Sequence, residues 1–300
     1  MRYTNRIILA AATASIVSSA FAGTFKTIAV DGDFSDWTGV PILTADAAGD
    51  GTPIDIGNVQ IANDVANLYL RVSYNTPVNP NVGPSLYLAF DVDSNLATGF
   101  NIYGLGAVGS DAGFQNDFPF DQRGGFNSGS LTAAATISPI DFGNPAAVVS
   151  SQEYSIPRDV KFANDLISVF ANPGFKLMLW TDSSVAADTT IGIPYLFASP
   201  ATGWAVNASG DWNINANWTY PVAPNAVGAL AELGGIITAP QTVFSNIPVT
   251  VGTLTFDNSN QYVVGGTGSL TMDVASGSAA IGVVSVSGLG NKPACDAGFV

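Results

Sequence analysis

Histidine is absent from all 300 residues. That removes Ser-His-Asp and Cys-His triads, His-ligated zinc and His-ligated haem. Cysteine occurs once, as Cys295, so no intrachain disulfide can form. Glutamate occurs only at Glu153 and Glu232, and Lys and Arg together number nine. Beyond the N-terminus every apolar run is cut by Asp, Asn, Gly or Pro within about ten residues, short of the ~20 that span a bilayer. No transmembrane segment is expected.

The N-terminus carries Arg2 and Arg6, an apolar run from Ile7 to Ala20, and Ala20-Phe21-Ala22 ahead of Gly23. This is the layout of an export signal over 1–22, with Gly23 as the mature start and a secreted or cell-surface location. Cleavage there leaves seven basic against 23 acidic residues, a formal −16, which disfavours nucleic acid and anionic lipid as partners. The acids are nearly all Asp, a turn and cation-loop residue, while Gly, Ser, Thr, Asn and Val are abundant. The composition predicts an all-β fold, and the length predicts two domains.

Period-two alternation marks strands in the first domain, residues 23–198. Leu68, Leu70, Val72 and Tyr74 share one face; Leu86, Leu88, Phe90 and Val92 share another, with Tyr87, Ala89, Asp91 and Asp93 turned away. Leu166–Phe170 and Phe175–Trp180 around Asn172-Pro173-Gly174 predict a hairpin, and Pro157 to Asn164 is the best candidate for a short helix. Residues 199–203, Ser-Pro-Ala-Thr-Gly, are expected to be a linker. From 204 to 300 short apolar stretches (Val249–Phe256, Tyr262–Val264, Leu270–Val274, Ala279–Val286) recur at the spacing of β-helix rungs.

Val30-Asp31-Gly32-Asp33-Phe34-Ser35-Asp36-Trp37, then Val59-Gln60-Ile61-Ala62-Asn63-Asp64, then Asp91-Val92-Asp93-Ser94-Asn95-Leu96-Ala97-Thr98-Gly99-Phe100 follow in order. With Glu153 to Arg158 and Ala187-Asp188 to Phe197, this domain resembles the family 9-like carbohydrate-binding module (CBM9), a sandwich of the DOMON type. Some DOMON domains bind haem, but here the ligands are lacking. Trp204, Gly210-Asp211-Trp212, Asn217-Trp218, Pro224-Asn225 and Val249 to Asn258 resemble the start of an autotransporter-associated β-strand repeat region. That likeness implies a short right-handed parallel β-helix acting as a surface scaffold. The repeat texture fades into Asn291-Lys292-Pro293-Ala294-Cys295-Asp296, as in a truncated or frame-shifted end, and an open last rung would permit self-association.

Asp91-x-Asp93-x-Asn95 sets oxygen ligands at alternate positions, suited to Ca²⁺, with Asp111 and Asp117 able to complete a shell; the alternative is a solvated acidic turn. It is not an EF-hand, because Leu96 replaces the glycine and Ile102 the closing glutamate. For sugar stacking the candidates are Trp180, Tyr87 and Tyr103, although for any single one an ordinary buried or interfacial ring is the favoured reading. Trp37 is expected to plug the core, and Trp204, Trp212 and Trp218 to cap the β-helix. The expected function is non-catalytic binding of extracellular polysaccharide or cell-surface glycan. The alternatives are a purely structural surface scaffold and, less favoured, a polysaccharide lyase, which would need a basic residue where the second domain has only Lys292.

Overall fold

The computed structural model describes residues 21–79, 85–139, 148–274, 278–285 and 294–295. The expected signal up to Ala20, and Asn291–Pro293 and Asp296 of the fading end, lie outside them. The first unit contains β1 (Phe21–Ala22), β2 (Ile42–Ala45), β3 (Ile56–Asn63), β4 (Asn67–Val78), β5 (Leu86–Asp91), β6 (Ala112–Gln115), β7 (Phe118–Asp121), β8 (Gly129–Ser130), β9 (Thr136–Ser138), β10 (Val149–Pro157), β11 (Gly174–Thr181) and β12 (Ile193–Leu196). They form a seven-stranded sheet, β1-β12-β11-β5-β6-β7-β8, and a five-stranded sheet, β2-β3-β4-β10-β9. Apart from the parallel β1–β12 pair, all ladders are antiparallel.

The two sheets bury their apolar faces against each other. Ile61, Leu68, Leu70, Val72 and Ile156 from one meet Leu86, Leu88, Phe90, Phe114, Leu177 and Leu179 from the other. These are the inward sets that alternation predicts, and full burial of each such side chain stabilises by about 1.5–3 kcal/mol. The opposite faces are also covered. Ile28, Trp37 and Val40 pack on Ala62 and Tyr69 outside the five-stranded sheet, so Trp37 is buried but outside the inter-sheet core.

Two local expectations do not hold. Residues 157–164 form no helix: Phe162 and Lys161 bridge to Leu131 and Ser168, and these pairings take the place of helical hydrogen bonds. Leu166–Phe170 is not a strand. Instead β11 finds its partners in β5 and β12, and Leu166 sits at φ 58° with its side chain exposed. Among the described residues there is no α-helix, and none is long and apolar enough to cross a membrane.

The remaining strands are β13 (Ala201–Gly203), β14 (Gly210–Asp211), β15 (Leu230–Leu233), β16 (Gln241–Phe244), β17 (Val249–Val251), β18 (Thr253–Asp257), β19 (Tyr262–Gly265), β20 (Leu270–Met272), β21 (Ala280–Ser285) and β22 (Ala294–Cys295). They stack as three all-parallel sheets, β13-β15-β18-β21, β14-β16-β19-β22 and β17-β20, around Leu233, Val243, Val251, Leu254, Phe256 and Val264. The stretch read as a linker supplies β13, so the second unit begins inside it. Trp204, Trp212 and Trp218 are buried at its start, with the Trp212 and Trp218 rings 4.8 Å apart.

Candidate functional site

β5 and β11 are neighbours, and their outward-facing residues carry both groups singled out in the sequence. Tyr87 and Trp180 are directly paired across the ladder, and their rings stack at 4.0 Å with an interplanar angle of 12°. Tyr103, on the segment joining β5 to β6, meets Trp180 edge-on at 5.4 Å; Phe126 does so at 5.9 Å. The three sequence candidates therefore converge. Their exposure differs: Tyr87 and Trp180 are only 3% and 4% exposed, because Phe100, Ile102 and Val108 close over them, while Tyr103 and Phe126 are 53% and 46% exposed. Alternation gives the direction of a side chain but not whether a loop folds over it.

Polar groups surround the rings. The Tyr103 hydroxyl donates to Thr181 O at 2.7 Å and the Tyr87 hydroxyl to Asp182 Oδ2 at 3.0 Å. Burial, then Asp182, pushes the Tyr87 hydroxyl well above its ordinary range. The Trp180 indole N–H is buried with no acceptor. Asp182 is exposed at the rim, where it also accepts from Ser85 N.

At the other end of β5, Asp91, Asp93 and Asp111 each offer a carboxylate oxygen, all within 4.8 Å of one another. Asp91 is fully buried and neither of its oxygens has a hydrogen-bond partner. Its carboxyl is raised from the usual range, first by burial and then, against nearby backbone amides, by the charge of Asp93. Asp111 accepts from Val92 N at 3.0 Å and is raised to about 6, again by burial before the charges of Asp93 and Asp91. Asp93 turns the chain: its Oδ1 accepts from Asn95 N and its Oδ2 from the Thr98 hydroxyl. A buried carboxylate is costly to keep charged, and two further carboxylates beside it fit a hard cation with all-oxygen ligation.

Of the other two expected ligands, one has its oxygen engaged in a local turn and the other lies apart from this carboxylate group. Asn95 Oδ1 accepts from Ala97 N at 3.1 Å and serves the turn. Asp117 lies in the β6–β7 turn, at the end of β6 away from Asp111, where its carbonyl accepts from Ala135 N.

No family model matches the chain, and no curated protein matches it. Among solved structures, a carbohydrate binding module family 9 (CBM9) from Caldicellulosiruptor kristjanssonii in complex with cellotriose is 15% identical, over 57% of this chain and 82% of that one, with a TM-score of 0.33. A module of the same family and organism in complex with glucose is 14% identical, over 58% and 84%, with a TM-score of 0.34.

A second carboxylate group joins Asp46 and Asp50 to Asp188, which lies far along the chain from both and so carries no local sequence signal. Asp188 is buried and accepts from Ile56 N at 2.6 Å. Asp46 is raised to about 7, by burial first and then by Asp188. Glu153 was likewise passed over as a hub. Fully buried, it accepts from Asp31 N at 2.7 Å, Gly32 N at 2.6 Å and the Trp37 indole at 2.9 Å.

Proposed function

We propose that this is an exported, non-catalytic carbohydrate-binding protein that acts on extracellular polysaccharide or cell-surface glycan. Its ring-stacking surface is Tyr103 and Phe126, standing on the buried Trp180–Tyr87 pair. The observation that carries this reading is the pair of half-exposed rings held edge-on against one indole, with the Asp182 carboxylate at the rim to accept from sugar hydroxyls. Trp180 and Tyr87 act as the support, with their faces engaged by one another. Asp91, Asp93 and Asp111 hold Ca²⁺, which offsets the cost of burying the charge of Asp91. The parallel coil acts as a right-handed β-helical scaffold of the autotransporter-associated kind, able to self-associate through its last rung.

Retention on a panel of insoluble polysaccharides, together with a glycan array in millimolar calcium, tests this reading. Tyr103→Ala and Phe126→Ala are each expected to weaken retention by about tenfold, since an aromatic contact contributes about 0.5–1.5 kcal/mol beyond its buried area. A second reading, a purely structural surface protein, draws on the covering of Trp180 and Tyr87 by Ile102 and Val108. Failure of the native protein to bind any glycan would favour it.

A further inference from the structure

The carboxylates and the rings belong to one segment. Residues 92–111 leave the sheet after β5 and return at β6, and the three carboxylates stand where the segment departs and re-enters. There Val92 N donates to Asp111 Oδ2 at 3.0 Å, and Asp111 N to Phe90 O at 2.8 Å. A second closure follows: Phe100 N donates to Ser110 O at 2.7 Å and Ser110 N to Phe100 O at 2.9 Å. Between these two closures the limbs touch backbone to backbone. A side chain at Gly99, which sits at φ 70°, would collide with Ser110, and one at Gly109 with Thr98 and Asn95. Beyond them lies a tip, residues 101–107, tied by Gly106 N donating to Asn101 Oδ1 at 2.9 Å. The tip carries buried Ile102 and half-exposed Tyr103, whose hydroxyl reaches Thr181 O.

The limbs are therefore stiff, and the neck is the place where the segment is set against itself. Three like charges lie within 4.8 Å there, one of them fully buried without a hydrogen-bond partner. Without a cation, repulsion among the ionised carboxylates disfavours holding Asp93 beside Asp91 and Asp111. A divalent cation reverses the sign of that interaction and draws the three together. We infer that a divalent cation of calcium's chemistry, bound at Asp91, Asp93 and Asp111, sets the position of the Tyr103 tip over Trp180. The carbohydrate surface is thereby assembled in the cation-loaded protein and loosened in its absence. This rests on the cation site and the ring surface of the preceding section and adds the link between them: the cation acts on sugar binding through the loop, with no need to touch the sugar.

The test follows the Trp180 indole N–H in the full mature chain, labelled with ¹⁵N and assigned by its disappearance in Trp180→Phe. Its hydrogen-exchange rate is measured in chelator and again in millimolar calcium. Calcium is expected to slow exchange at Trp180 by about tenfold or more, and to change the Trp212 indole in the coil by less than about twofold. Asp93→Asn, at an exposed position, should abolish the calcium response, and Asp111→Asn should do the same. Tyr103→Ala should leave Trp180 fast in calcium. A calcium-raised thermal midpoint with unchanged Trp180 exchange would overturn the coupling and leave the cation site standing. If calcium moves neither quantity, cation site and coupling both fall. If Trp180 responds but no glycan is retained, loop control is supported and only the carbohydrate reading is lost.

Discussion

Glu153 shows how much one side chain can organise here. Its two carboxylate oxygens take two backbone N–H groups and the Trp37 indole, fastening the Asp31–Trp37 stretch over the outer face of the five-stranded sheet. In the sequence, Trp37 could be read as buried, as an aromatic after an Asp-rich opening. The carboxylate that receives it lies more than a hundred positions away, and nothing local marks it. Glu153→Ala would leave three donors without their partner, the Trp37 indole N–H among them fully buried. Counting only part of the 1–3 kcal/mol usual for each, the loss should be about 3 kcal/mol or more, read as a lower urea midpoint with an unchanged slope. An effect within about 0.5 kcal/mol would mean that water replaces the carboxylate. Trp180 makes the complementary point. Its outward direction was legible from alternation with Lys176, but its cover comes from a loop that no periodicity describes.

At the level of strands and loops, the inward sets of β4, β5 and β11 were readable because a period of two is a property of the strand itself. The supposed helix at 157–164 and the supposed strand at 166–170 were not, since their conformations are set by bridges to distant partners. The same distance hid Asp46 and Asp188, which clasp the region after β2 to the chain between β11 and β12. The raised carboxyl of Asp46 has a consequence of definite sign. A carboxyl that titrates higher in the folded than in the unfolded chain holds its proton longer when folded. Its stabilisation is therefore fully present below about pH 4 and is lost as pH rises through about 7. In chelator, the thermal midpoint should fall between about pH 4 and 7, and Asp46→Asn should flatten that fall. Asp111, raised to about 6, contributes in the same sense, as do Asp91 and Asp188, whose carboxyls burial also raises. A midpoint that climbs over this range would contradict the assignment.

Across the whole molecule, the change from antiparallel sandwich to parallel coil was visible as a change in the spacing of apolar runs near residue 200. The position of the first coil strand was not, because β13 is too short and polar to stand out. The far end of the coil bears on association. Ile281 and Val283 pair in register with the buried Leu254 and Phe256, yet are 56% and 47% exposed. They extend the interior stack to a surface open to solvent among the described residues, the kind of edge that recruits another chain. Sedimentation should show concentration-dependent association of the native protein, and Ile281→Asp with Val283→Asp should reduce it. Association insensitive to that double change would place the contact elsewhere.

The segment between β5 and β6 meets the sheet through its narrow neck and through Phe100, Ile102 and Val108, which pack on Tyr87 and Trp180, while Tyr103 at its tip is half exposed. Ligand preference can therefore diverge by exchange of a handful of positions there, with the folding of the rest undisturbed. For an engineer, the exposed positions among residues 101–107 are the place to graft a new recognition surface, and the proposed cation site at the three aspartates would be the means of switching it on.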